Sequence, residues 1–145
     1  MDRIGILIKK ASLELEKTAL SILSQYDMTL TQYKIIVYLY NAPPMSTRQV
    51  DLDRAYSMTN PSVTSVLHTL EKKDLICRAE NAEDRRSKVI SLTQKALDLR
   101  EELEAAGDRL KEAFTKNLSS AERSEMIVLL KKMLKKDDAI WKSLH

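Results

Sequence analysis

Glycine, proline, cysteine and aromatic residues are all scarce in this chain. Its two glycines and three prolines in 145 residues, set against many Leu, Lys, Glu and Ala, argue for a mostly helical protein. One cysteine excludes an internal disulfide. No run of about 18 apolar residues occurs, which excludes a helical membrane span. Glu14 and Glu16 interrupt the N-terminal apolar pattern early, so no signal peptide is expected and the cytoplasm is the expected compartment. An excess of one charge is lacking too. The net charge is +3, and between Ser46 and Thr93 eight Lys and Arg face seven Asp and Glu. Composition does not announce a nucleic-acid partner; only the placement of charge can. The length fits one compact domain with extensions, or one protomer of an intimate dimer.

Catalytic patterns are missing as well. The two histidines, His68 and His145, lie far apart in sequence. There is no His-x-x-x-His, cysteine cluster, glycine-rich phosphate loop or nucleophile elbow. Glu101 and Glu102 sit in a charged helical stretch and read as solvent-facing. No enzyme, catalytic residue, metal site or cofactor is expected.

The informative stretch is Ser57–Thr93, a helix followed by a short hairpin with a charged tip. Ser57, Thr59 and Asn60 supply N-cap oxygens, and Pro61 suits the first helical position. Val63, Val66, Leu67 and Leu70 share one stripe. The opposite arc carries Pro61, Ser65, His68 and Lys72, flanked by Ser62, Thr64 and Thr69. It is polar, short-chained and free of acidic groups, so it can enter a major groove and reach base edges; an ordinary solvated face is the alternative. Leu75–Arg78 and Lys88–Leu92 are strand candidates, with Ile90 and Leu92 able to share a face. Between them, Arg85 and Arg86 form a tip suited to a narrow minor groove, with Asp84 near enough to hold one guanidinium. A solvated charged turn is the alternative there.

The segments NPSVTSVLHTLEKKDLICR and EDRRSKVISLTQKA resemble the winged helix-turn-helix core of the MarR family of bacterial transcription regulators. The resemblance covers residues 30–96 by motif and the whole chain by length and helix order. It implies a mainly α fold with a small β-hairpin wing and N- and C-terminal dimerisation helices. It also implies a homodimer on pseudo-palindromic double-stranded DNA, with a small-molecule effector. By the family's Asp-x-Arg wing pattern, Asp84 and Arg86 match the orienting acid and the inserted arginine; Arg85 beside them is expected to contact phosphate. The full DNA-facing set is Arg48, Thr59, Asn60, Pro61, Ser62, Thr64, Ser65, His68, Lys72, Asp84, Arg85, Arg86 and Lys88. The chain departs from the family at three places. Asp74 stands where many members have Gly at the helix terminus, Ser65 where many have Arg, and Asp53 where many have Ala.

The flanking segments fit that frame. Residues 1–28 carry a helical pattern with two stripes, Ile4, Ile8, Ala11, Leu15, Ile22 and Tyr26 on one side and Ile6, Leu13 and Leu20 nearly opposite. A helix apolar on two sides is buried on two sides, by its own body and by a partner subunit. Residues 29–93 form the DNA-binding lobe. Thr31 is the expected N-cap of a second helix that ends before Pro43 and Pro44. Ser46 and Gln49 make a capping box opening a third, which places Arg48 near a phosphate. Residues 94–145 are expected to form long helices. Thr93 caps the first of them, Gly107 weakens or bends it, and Ser119 with Glu122 caps the second. Met133, Ile140, Trp141 and Leu144 join Ile6, Leu13 and Leu20 as dimerisation residues. Cys77 reads as a buried or half-buried strand residue. The effector site implied by the resemblance would be lined by Tyr26, Met28, Tyr33 and Tyr38, which are otherwise core or interface residues. A helical protein–protein interaction module without specific DNA binding remains the other reading of these apolar helices.

Overall fold

A computed structural model describes residues 3–56, 60–84 and 86–134, the side chains of Asn60 and Pro61 excepted. Its elements are α1 (Arg3–Leu23), a 3-10 turn (Ser24–Tyr26), α2 (Leu30–Asn41), β1 (Thr47–Arg48), α3 (Gln49–Tyr56), α4 (Asn60–Lys72), β2 (Ile76–Glu80), β3 (Lys88–Leu92), α5 (Gln94–Asp98), α6 (Arg100–Thr115) and α7 (Ser120–Leu134). The mainly α class with a hairpin wing is thus observed. The chain divides into two compact units, residues 1–30 with 104–136, and a second built on 31–103.

In the first unit, Ala19 and Leu23 of α1 are buried, as is Met28 beyond it. The chain leaves α1 through Asp27, left-handed at φ 51, whose amide donates to the Ser24 carbonyl. The junction of α6 and α7 is closed by the expected capping box. Glu122 N donates to Ser119 Oγ at 3.1 Å, and Ser119 N donates to Glu122 Oε1 at 2.9 Å. These bonds, from the Ser119 backbone first and its side chain second, hold the Glu122 carboxyl below its usual range. Arg123 adds a bridge to Glu112 at 3.0 Å and donates to the Thr115 carbonyl at 3.2 Å. Much apolar surface in this unit stays uncovered: Ile6, Leu13 and Leu20 are 44%, 47% and 64% exposed. No residue of α7 is buried, and Met133 is 57% exposed.

The second unit has a closed core. Ile35, Ile36, Leu39 and Tyr40 of α2, Leu52 and Ala55 of α3, and Val63, Leu67 and Leu70 of α4 are buried, together with Ile76, Val89, Ile90 and Ala96. Their i, i+3 and i+4 spacing is that of amphipathic helices. The Tyr40 hydroxyl donates to the Ala96 carbonyl, and the Arg100 guanidinium lies 5.2 Å from the Tyr40 ring centroid. β2 and β3 pair antiparallel with Ile76 opposite Leu92 and Glu80 opposite Lys88. β1 joins the other edge of β3, so the strand order is β1-β3-β2.

Several local expectations are corrected. Ser46 and Gln49 do not form a capping box. Ser46 Oγ donates to the Pro43 carbonyl, and Thr47–Arg48 leaves the helix to pair with β3. The start of α3 is instead closed by Asp51, whose carboxylate accepts from the Arg48 amide at 2.8 Å. α2 begins at Leu30, so Thr31 lies inside it. Thr93 is the N-cap expected, its hydroxyl accepting from the Ala96 amide, but the helix it opens is interrupted at Leu99 and not at Gly107. Cys77 is exposed, its Sγ 3.1 Å from Ser91 Oγ on the opposite strand.

The end of α4 is the decisive joint. Leu75 N donates to the Leu70 carbonyl and Asp74 N to the Glu71 carbonyl, both at 3.0 Å. Asp74 itself is left-handed at φ 59. This is the Schellman termination, for which glycine is the usual residue. The next carbonyls are capped from the far side of the wing. Thr93 Oγ1 donates to the Asp74 carbonyl at 2.6 Å, and Lys95 Nζ to the Lys73 carbonyl at 2.9 Å. Because a Cβ disfavours the left-handed region by about 1 kcal/mol, Asp74→Gly is expected to raise the unfolding free energy by up to about that amount. Urea titration of the two proteins measures it; a loss of stability would mean that the Asp74 side chain supports the joint.

Candidate nucleic-acid interface

α4 keeps the two faces read from its sequence. Val63, Leu67 and Leu70 are buried and Val66 is half-buried, while Ser62, Thr64, Ser65, His68 and Lys72 are exposed. Thr59, and the side chains of Asn60 and Pro61, lie outside the described residues. The polar arc is fastened to the helix before it. Gln49 Nε2 donates to Thr64 Oγ1 at 2.7 Å, so one hydroxyl of the arc is held from α3. Thr69 Oγ1 donates back to the Ser65 carbonyl. At the other end of α3, the Tyr56 hydroxyl donates to the Lys34 carbonyl at 2.8 Å, and its ring meets Tyr38 edge-on at 6.2 Å.

The wing is fastened to the same helix. Arg78 of β2 bonds Glu71 of α4 at 2.7 Å, with both side chains about one-third exposed. This pair joins helix to wing; in exposed surroundings it contributes geometry more than stability. Lys73 Nζ donates to Gln32 Oε1 at 3.0 Å, tying the end of α4 to α2. Arg48 is exposed at the start of α3, its guanidinium 3.6 Å from Asp51.

The tip of the wing is ordered by short side chains. Asp84 Oδ1 accepts the Arg86 amide at 3.0 Å, and Asn81 Oδ1 accepts the Glu83 amide at 3.0 Å. Each acceptor is two residues before its donor, the Asx-turn arrangement. Ser87 N then donates to the Asp84 carbonyl at 3.2 Å. Asp84 was expected to hold a guanidinium. Among the described residues its hydrogen bond goes instead to the backbone, where it fixes the turn from which Arg86 projects. Arg86 and Lys88 are exposed; Arg85 lies outside the described residues.

The other expected sites are spread more widely. Met28 is buried, and Tyr26, Tyr33 and Tyr38 are half-buried. None of these four lines either of two clefts in the second unit, of about 460 and 620 Å³. Ile140, Trp141 and Leu144 lie outside the described residues. Among the described residues no group of three or more His, Cys, Asp or Glu could hold a metal ion, and no helix is long and apolar enough to cross a membrane. Sequence reasoning missed Gln49, Glu71 and Arg78. Their partners lie 15 and 7 residues away, outside the spacings that helical or strand periodicity makes legible.

The model of the MarR family matches residues 28–88. A structure of MepR from S. aureus in complex with DNA is 32% identical, over 93% of this chain and 98% of that one, with a TM-score of 0.83. The chain belongs to the MarR family. A mutant MarR from E. coli complexed with operator DNA is 27% identical, over 90% and 93% of the two chains, at a TM-score of 0.83. BpsR of Bordetella bronchiseptica, whose DNA binding is regulated by 6-hydroxynicotinic acid, is 22% identical over 94% and 96%, at a TM-score of 0.84; that likeness is one of fold. In this MarR-family chain Asp74 fills the position of a terminating glycine without loss of the turn.

The wing turn supplies a direct check. Asp84→Ala removes the acceptor for the Arg86 amide, and Asp84→Asn keeps one. Amide exchange at Arg86 is expected to accelerate several-fold in the alanine variant and much less in the asparagine variant, with little change in melting temperature. NMR hydrogen exchange reads both.

Proposed function

We propose that this protein is a dimeric, sequence-specific DNA-binding repressor of the MarR type, acting in the cytoplasm and released by a small-molecule effector. The observation that carries the reading is the polar arc of α4, joined through the Asp74 turn to a wing that ends in Arg86. Both belong to a chain similar along nearly its whole length to a DNA-bound MepR. In this reading α4 lies in the major groove, where Ser62, Ser65 and His68 meet base edges. Lys72, Arg48, Arg85 and Lys88 meet phosphates. Arg86 enters the flanking minor groove, where a narrow width concentrates negative potential. Thr59, Asn60, Pro61 and Thr64 complete the approach. The two copies address half-sites about one helical turn apart. Ser65, in place of the family's frequent arginine, makes the wing carry a larger share of the contact.

The terminal segments, 1–28 and 94–145, are the dimerisation elements in this reading. The exposed apolar residues of α1 and α7 support it, since monomeric proteins rarely leave large contiguous apolar patches in water. Ile6, Leu13, Leu20 and Met133 would meet the second copy, together with Ile140, Trp141 and Leu144. The effector would bind near Tyr26, Met28, Tyr33 and Tyr38, and would act by favouring dimers whose reading heads are wrongly spaced for DNA. An interaction module without specific DNA binding draws no support from the comparisons.

Three measurements test this. Arg86→Ala is expected to weaken binding to the DNA upstream of its own gene by at least tenfold with an unchanged melting temperature. Wild-type affinity should fall steeply with salt, as phosphate contacts require. A gel shift unaffected by the substitution would remove the wing from the interface. Leu13→Asp places a charge on the exposed face of α1 and is expected to shift sedimentation toward the monomer; a variant that stays dimeric would exclude that face.

A further inference from the structure

Leu52 and Ala55 of α3, and Val63 and Leu67 of α4, are buried in the core of the second unit. Outside that core a polar tie also joins the two helices: Gln49 Nε2 donates to Thr64 Oγ1 at 2.7 Å. Gln49 is half-buried and Thr64 exposed. Stability gains little from such a bond, because a neutral hydrogen bond has a small net worth and ordering a glutamine side chain offsets part of it. Its effect is on geometry. A threonine in a helix divides between two χ1 positions, and its hydroxyl and methyl occupy staggered sites about 120° apart. A hydroxyl fixed on Gln49 therefore fixes the methyl at a separate site, turned away from the amide. Gln49 and Thr64 each make a further interaction, so neither is asked for an open donor or acceptor; the methyl needs none.

We propose that Gln49 is a positioning residue for base reading: by holding the Thr64 hydroxyl against α3, it presents the Thr64 methyl to the DNA, where it meets the C5-methyl of a thymine. Such a contact requires α4 to lie in the major groove, and so rests on the function proposed above. Thymine is selected by chemistry. Its C5-methyl is the apolar feature of the major-groove edge, and a threonine methyl is among the groups that pack on it. A threonine divided between both positions offers a hydroxyl as well, which pairs with several base edges. Gln49 itself touches no base; it acts through Thr64.

The test starts from sites that the full chain selects from a pool of random duplexes. Each thymine of the selected site is then replaced by deoxyuridine, which lacks only that methyl. One position in each half-site is expected to lose affinity about threefold to fivefold, the usual worth of one buried methyl group. Gln49→Met, similar in length but without a donor, should largely remove that loss with the melting temperature unchanged. Thr64→Ser should abolish it. Thr64→Val carries methyls at both branches, so it should keep the loss, alone and combined with Gln49→Met; a merely structural bond would make Thr64→Val as harmful as Gln49→Met. A wild type indifferent to every deoxyuridine, a loss that survives Gln49→Met or Thr64→Ser, or one that disappears in Thr64→Val, overturns the proposal and leaves the functional reading standing. A wild type that selects no site ends both.

Discussion

A single left-handed residue sets the relation between helix and wing. At Asp74 the chain stops being α4 and turns to become β2 within two residues. The carbonyls released by that turn are taken up by Thr93 and Lys95, which lie beyond the whole hairpin. The helix terminus is therefore closed by residues on the far side of the wing. Moving the wing would uncap the helix, exchanging these two bonds for bonds to water. The Glu71–Arg78 pair repeats the same tie one turn earlier. Helix and wing are thus tied to one another at Glu71, Lys73 and Asp74.

The two units solve the burial problem differently. The unit of residues 31–103 covers its own apolar residues, with Leu52, Val63, Leu67 and Leu70 at most negligibly exposed. The unit of residues 1–30 and 104–136 leaves α1 and α7 largely bare. At about 25 cal/mol per Å² of apolar surface, such faces are a strong drive toward association. The capping box at Ser119 and the Arg123 bridge show that the α6–α7 hairpin is locally well specified even so. What the protomer lacks is cover, and its local signals are complete.

Legibility followed the range of the interaction. The buried stripe of α4, the caps at Thr93 and Ser119 and the two strand candidates of the hairpin each rest on residues close together in the chain, and were readable in order along it. The strand at Thr47–Arg48 was not. It exists because the Val89–Ile90 edge of β3 offers unpaired backbone groups 40 or so residues away, and a long-range ladder outcompetes a local cap of modest worth. Gln49, read as half of that cap, is drawn to Thr64 for the same reason. The exposure of Cys77 likewise follows from which side of β2 the sheet covers, a choice that strand alternation leaves open.

By itself, then, the sequence determined the mainly helical class, the amphipathic α4, the charged wing and the family to which their spacing points, because each is encoded by propensity, periodicity or capping over a few residues. Tertiary structure alone decided three further things: the third strand, the ties that run from Gln49 to α4 and from Arg78 and Thr93 between α4 and the wing, and the stacking of Arg100 on Tyr40. The physical reason is that each joins groups whose separation along the chain exceeds any local period, so they meet only once the core has closed.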